Sequence, residues 1–274
     1  MPLRFDRESY ANQTAQRLLQ APAELLLEAW PPLKPPLRVL ELAAGAGLLT
    51  RPLLDRMAPL EVQLVAIEAH WGLATHLPHA QGRAARTLAE GRRLPLCAQA
   101  FDVVIANLVL GDRHEDLARL AELRRVLRPG GWLLSTSLLR GSFDALLDVL
   151  TETCEAEGLH ECRQALSEVR PSLPDEANLA LALGAADISV VHMGIEERGL
   201  FFDDGATCLA DPLVRDLLLP SWLADAPPLP QRALAHAAHA IDTYFVGRRL
   251  GGRLAGPFAL PVRTAIVTGR AGEV

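Results

Sequence analysis

Residues 38–50 read RVLELAAGAGLLT. Val39, Leu40 and Leu42 have the apolar density of a buried strand, yet Glu41 stands among them, four residues ahead of Gly45. A charge placed in such a run costs free energy unless a partner or a ligand needs it. Gly45 and Gly47 follow at a spacing of one residue. Without Cβ atoms they let the backbone turn sharply and let a ligand come close to the main chain. The stretch therefore reads as a strand, a tight turn and the start of a helix, with an acid directed at the turn.

The same alternation continues on both sides. Strands are predicted at 37–42, 62–67, 84–88, 101–107 and 132–139, with helices at 48–57, 71–80 and 115–127 between them. In the last of these helices Leu117, Leu120, Leu123 and Leu127 recur at helical spacing. Pro129-Gly130-Gly131 is read as its stop. Strands separated by helices imply crossover connections, and hence a parallel sheet covered on both faces. Further on, helices are predicted at 142–157 and 175–184 and strands at 187–197 and 262–269. Residues 206–249 read as helical, with breaks at Pro220 and at Pro227–Pro230. Before the sheet, residues 5–29 read as helical with a break or a second start at Pro22. WPPLKPP, residues 30–36, reads as an extended connector. The expected fold is α/β: a Rossmann-like, doubly wound, mostly parallel sheet of seven strands with the last antiparallel. Residues 1–36 are expected to form an N-terminal helical cap. Residues 37–274 form the core, with a helical insertion at about 199–257 covering the site.

Composition narrows the function. The chain has 274 residues, is half apolar and carries a formal charge of -6. That balance argues against nucleic acid or an anionic membrane surface as the main partner, because phosphate binding needs concentrated positive charge. The apolar runs fall short of the roughly 20 residues that span a bilayer. MPLRFDRESYANQ places charges where a secretory signal needs an apolar run, so a cytoplasmic location is expected. Cys97, Cys154, Cys162 and Cys208 form no CxxC pair and read as ordinary thiols. The His76/His79 and His236/His239 pairs lack an accompanying acid or cysteine cluster and read as solvated faces rather than metal ligands. Arg248, Arg249 and Arg253 read as a surface turn.

In an open parallel sheet, ligands sit beyond the carboxyl ends of the strands. A dinucleotide turn wants G-x-G-x-x-G with a pyrophosphate on the helix N-terminus. Here Thr50 holds the third glycine position, and Glu41 would repel a pyrophosphate. The same carboxylate suits a ligand carrying positive charge, such as an amino-acid ammonium or a sulfonium. Glu68 ends the second strand, where an acid can accept both ribose hydroxyls. Glu90-Gly91 follows the third strand, where an acid suits an adenine amine. Three acids at successive strand ends describe a pocket for a cationic amino-acid nucleoside.

As a set, ELAAGAG (41–47), the acid of VAIEAH (65–70), AEGRRLPLCAQAFDVVIAN (89–107) and RRVLRPGGWLL (124–134) resemble class I S-adenosylmethionine-dependent methyltransferases. The resemblance covers about residues 37–140. It is nearest to the branch of ubiquinone/menaquinone and malonyl-acyl-carrier-protein methyltransferases. It implies S-adenosyl-L-methionine as cofactor and S-adenosyl-L-homocysteine as product. The implied cofactor contacts are Glu41, Ala43, Gly45 and Gly47 in the turn, Glu68 and Ala69 at the ribose, Glu90 and Gly91 at the adenine, Asn107 and Leu108 beside the methyl group, and Tyr10 as a lid. Ala43 stands where the family has its first glycine. Glutamates replace its usual aspartates, and Gly111-Asp112 replaces the Gln-Trp common in the carrier-protein branch. The implied partner is a small molecule or an acyl group on a carrier protein, methylated by in-line displacement. A fold that binds the cofactor or a partner without transferring methyl is the alternative. No catalytic side chain is assigned.

Overall fold

Strand β1 (Leu37–Leu42) has every residue buried except Arg38, which is the signature of a strand with covered faces on both sides. In the computed structural model it pairs in parallel with β2 (Val62–Glu68) and with β4 (Phe101–Leu110). The structure describes residues 15–56, 61–69, 84–89, 93–110, 113–246, 249–250, 253–254 and 257–273, with Leu73, Leu77 and Gly91. Beyond β2 lies β3 (Ala84–Leu88), and beyond β4 lies β5 (Leu127–Leu138). The sheet is completed by β6 (Ile188–Phe202) and β9 (Phe258–Ala271) in the order β3-β2-β1-β4-β5-β9-β6. β9 runs antiparallel to β5, from Trp132 opposite Arg270 to Leu138 opposite Thr264. Seven strands with the last one reversed agree with the sequence reading. Two short strands, β7 (Arg249–Leu250) and β8 (Arg253–Leu254), pair separately.

Alternation along the strands sends side chains to two cores. On one face Leu40, Leu42, Ile67, Val104, Leu133 and Val267 pack with helices α3 (Arg113–Val126) and α6 (Glu176–Ala185), through Leu120, Leu123, Leu179 and Leu183. On the other, Val39, Leu64, Val103, Ile105 and Leu134 meet Leu53 of α2 (Thr50–Arg56) and Ala23 and Leu26 of α1 (Ala15–Glu28). Asp102 ties this framework together at the base of the sheet. Its carboxylate accepts the Arg38 N–H at 2.8 Å and pairs with Arg128.

Three local readings need correction. α1 runs through Pro22 without a break. A proline inside a helix costs about 3 kcal/mol, and burial of Leu18, Ala23 and Leu26 around it outweighs that local penalty. Pro129-Gly130-Gly131 does not separate helix from strand. β5 begins at Leu127 opposite Phe101, and the register resumes with Trp132 opposite Val103, so the segment is an irregularity inside the strand. Pro220 is likewise no break: it lies in the first turn of α8 (Leu219–Trp222), where a missing N–H is harmless. The break at Pro227–Pro230 is present.

The chain divides into two compact units. One contains Ala15–Leu139, Pro174–Glu196 and Thr264–Val274, and holds the strand ends described below. The other draws on Arg140–Leu173 and Glu197–Arg263. In it α4 (Asp144–Ala156) and α5 (His160–Ser172) form a hairpin, clamped by Arg170 to Asp144 at 2.8 Å and to Asp148 at 2.7 Å. α7 (Gly205–Ala210), a π-helical segment (Leu213–Leu218), α8 and α9 (Gln231–Tyr244) complete it. α5 has no counterpart in the sequence reading. Phe201, Tyr244 and Phe245 are exposed, whereas Phe202 is buried.

Candidate functional site

The turn after β1 is built by left-handed backbone. Ala43 has φ 53°, Gly45 φ 57° and Gly47 φ 88°. Ala44 N–H still donates to Ile67 O of β2 at 2.9 Å, so the ladder persists as the chain begins to bend. Gly47 N–H then donates to Ala44 O at 2.9 Å and closes the turn. Among the described residues, a Cβ placed on Gly45 would meet no atom within 4 Å, which leaves space over the main chain there.

Ala43 adopts a conformation that an L-residue enters at a cost of about 1 kcal/mol. Replacement by glycine removes that cost but adds disorder to the unfolded chain. Ala43→Gly is expected to stabilise the protein by roughly 0.5 kcal/mol net, read as a higher urea midpoint. A lower midpoint would contradict the backbone assignment.

Two of the predicted acids converge on this turn. Glu41 is 3% exposed and accepts the Thr50 hydroxyl at 2.7 Å, from the first residue of α2. Glu68, at the tip of β2, is 4% exposed and accepts the Gly45 N–H at 2.7 Å. Burial pushes the Glu41 carboxyl up to about 8. The negative charge of Glu68 adds to the rise, and the Thr50 hydroxyl and N–H oppose it. The turn therefore brings together two acidic side chains with limited access to solvent, an arrangement that suits a ligand bearing positive charge.

The remaining predicted residues fall as follows. Ala69 is exposed on the bend after β2. Gly91 lies against the β1 terminus; a Cβ there would come within 3.3 Å of Leu42 Cδ2. Asn107 is committed to internal bonds, donating to Leu19 O at 3.2 Å and accepting the Thr136 hydroxyl at 2.6 Å. Leu108 has φ 51°, and its N–H donates to Thr136 Oγ1 at 2.8 Å. The register between β4 and β5 shifts at this place. Tyr10, Glu90, His76, His79, Gly111 and Asp112 lie outside the described residues. Among the described residues no group of three or more His, Cys, Asp or Glu side chains is placed to hold a metal, and no helix is long and apolar enough to cross a membrane.

Sequence reasoning missed two residues. Thr50 entered only as a non-glycine, although a hydroxyl on the first helical turn after a buried acid is a natural donor to it. Thr136 belongs to Ser135-Thr136-Ser137, a fully buried polar triplet in an otherwise apolar strand. That interruption was the available signal. A separate groove of about 530 Å³ between α4 and α5, lined by Leu147, Asp148, Thr151, Leu166 and Arg170, shares no residue with the turn.

Residues 40–135 match the family described as methyltransferase domain. Together with the doubly wound sheet, its reversed strand and the acids Glu41 and Glu68 near its tips, that match makes this part of the chain similar to class I S-adenosylmethionine-dependent methyltransferases. Its sequence relatives include proteins named malonyl-[acyl-carrier protein] O-methyltransferase. It is 30% identical over 146 residues to a malonyl-[acyl-carrier protein] O-methyltransferase of Marinomonas sp. (strain MWYL1), covering 51% of this chain and 52% of that one. It is 33% identical over 211 residues to the biotin biosynthesis bifunctional protein BioCD of Bordetella avium (strain 197N), covering 73% and 39%. The matches thus span about half or less of these relatives' lengths. Among solved structures, BH2331 of Bacillus halodurans C-125 superposes with a TM-score of 0.58 at 14% identity, covering 91% of this chain and 98% of that one. The [4+2]-cyclase SpnF superposes at 0.51 with 17% identity, covering 98% and 85%. These likenesses concern the fold, and the presence of a cyclase among them means that the fold alone does not choose the reaction.

Proposed function

We infer that this protein transfers a methyl group from S-adenosylmethionine to the carboxylate of an acyl group borne on a carrier protein. The observation that carries this is the convergence of Glu41 and Glu68 on the open Gly45 turn. Two buried acids beside main chain that no described residue covers fit the positively charged end and the ribose of that cofactor. The relatives named for malonyl-carrier substrates supply the acceptor class.

The cofactor supplies a methyl group already activated by positive sulfur. The protein's part is to bind, align and dry the site. Glu41 and the turn amides would hold the amino-acid portion, Glu68 the ribose, and Glu90 with Gly91 the adenine side. Main chain at Asn107 and Leu108, fixed by Thr136, would line the space beside the methyl group. A carboxylate acceptor is itself a nucleophile at neutral pH, so no general base is required, in keeping with a turn that offers acids only.

The test is incubation with methyl-labelled S-adenosylmethionine and malonyl-loaded carrier protein, with malonyl-coenzyme A in a parallel reaction. Label should enter the carrier fraction as an alkali-labile ester. Cofactor binding with no label in either acceptor would turn the reading toward a binder without transfer.

A further inference from the structure

We propose that Thr136 is a positioning residue: its hydroxyl fixes a left-handed bend of β4 at Leu108 and, through Asn107, ties that bend to α1. The proposal rests on the cofactor reading above, which puts the main chain at Leu108 beside the methyl group. It names the side chain that keeps that main chain in place.

The bend originates in a mismatch between two strands. Ala106 of β4 stands opposite Ser135 of β5, and the next pair is Leu110 opposite Ser137. Asn107, Leu108 and Val109 therefore face Thr136 alone, an excess that a ladder absorbs only as a bulge. At Leu108 the backbone enters φ 51°, a region that L-residues avoid. Its N–H donates to a side chain, Thr136 Oγ1, at 2.8 Å.

The direction of each bond is fixed by its neighbour. Leu19 O of α1 can only accept, so the Asn107 amide turns its nitrogen there, at 3.2 Å, and its oxygen toward Thr136. That oxygen takes the Thr136 hydroxyl proton at 2.6 Å. The lone pairs of the hydroxyl are thereby left for the Leu108 N–H, which can only donate. Thr136 is fully buried, so bulk water cannot stand in for its hydroxyl.

The bend lies at the end of the sheet that carries the Gly45 turn. Leu42, the last residue of β1, pairs with Ala106, so turn and bend continue two adjacent strands past the same level. A methyl group held between them needs its wall in one conformation, because a displacement of about 1 Å can cost roughly a hundredfold in rate. Without the hydroxyl, Leu108 loses the partner that offsets its left-handed backbone.

The experiment compares Thr136→Val, which keeps the side chain's shape but not its hydroxyl, with Thr136→Ser, which keeps the hydroxyl. Ser135→Ala is the control, since the buried Ser135 hydroxyl has no hydrogen-bond partner among the described residues. The first readout is amide exchange of the ligand-free protein. The Leu108 N–H should exchange at least about tenfold faster in Thr136→Val, and at the wild-type rate in Thr136→Ser and Ser135→Ala. Asn107→Ala, which unties α1, should speed exchange of the α1 amides near Leu19, and it serves where valine prevents folding. Unchanged α1 exchange would remove the tie to α1.

The second readout is methyl transfer to malonyl-loaded carrier protein, with the Kd of S-adenosylhomocysteine measured alongside. In Thr136→Val kcat should fall roughly tenfold or more while Kd stays within about threefold, and Thr136→Ser should recover kcat. Equal losses of kcat and cofactor affinity would mark Thr136 as a residue of general stability and overturn the proposal. Unchanged Leu108 exchange, or unchanged kcat, in Thr136→Val would do the same. If cofactor binds and no methyl moves in the wild type, the function reading falls and the Leu108 amide resonance decides. A shift on cofactor binding that Thr136→Val abolishes sustains the proposal, and no shift overturns it. If no cofactor binds, both fall.

Discussion

Glu41→Gln is expected to give a more stable protein that binds a cationic ligand less well. The Glu41 carboxyl is raised from 4.5 to about 8 by burial first and the Glu68 charge second. Between those two values the folded protein holds a proton that the unfolded chain has lost, so wild-type stability falls as pH rises through that interval. Glutamine keeps the shape and the acceptor for the Thr50 hydroxyl but has nothing to ionise. The advantage of the variant should be near zero at about pH 4.5, reach on the order of 3 kcal/mol at pH 7 and stop growing above about pH 8. Guanidinium unfolding at three pH values checks this. Equal stabilities at pH 8.5, or a gap that narrows as pH rises, would show that Glu41 is ionised in the fold at no cost. The expected trade of stability for ligand charge is common at binding turns, where a destabilising group is kept for its task.

This prediction also shows what the chain's chemistry reveals without coordinates. Glu41 stood out because Val39, Leu40 and Leu42 around it could only be interior, and the buried β1 agrees. The predicted strand at 84–88 forms as β3, because pairing with Leu64–Glu68 compensates for its poor local pattern. Thr50 as the partner of Glu41 was not legible: the two are nine residues apart, and only the closed turn between them sets a 2.7 Å contact. α5 was missed because His160–Ser172 carries few apolar residues and ends in Pro171-Ser172. It is helical because Cys162 and Leu166 are buried and Arg170 is paired to α4. α1 passed through Pro22 for a similar reason: contacts with the sheet overrode a local signal. Local patterns thus identified the strands and the acids, while contacts between distant segments determined the exceptions.

Gly205→Ala should cost more than its single added methyl group suggests. Gly205 opens α7, capped by Asp204, whose carboxylate accepts the Thr207 N–H at 2.6 Å. Its own N–H donates to Asp242 Oδ1 of α9 at 2.7 Å, which draws the two helices together at this point. A Cβ on Gly205 would collide with the Ala238 carbonyl oxygen and come within 2.7 Å of Ala238 Cα. Both are main-chain atoms in the middle of α9, so no side-chain rotation can relieve the clash. Relief requires the helices to separate, which lengthens the bond to Asp242 and disturbs Ala233, Ala237 and Ile241, all fully buried. The expected loss is about 3 kcal/mol, seen as a thermal midpoint lowered by roughly 5–10 °C. Gly184→Ala, in the last turn of α6, provides the control, because a Cβ there meets no atom of the described residues within 4 Å and alanine favours a helix more than glycine does. A Gly205 variant as stable as that control would mean that α7 and α9 do not approach as closely as described.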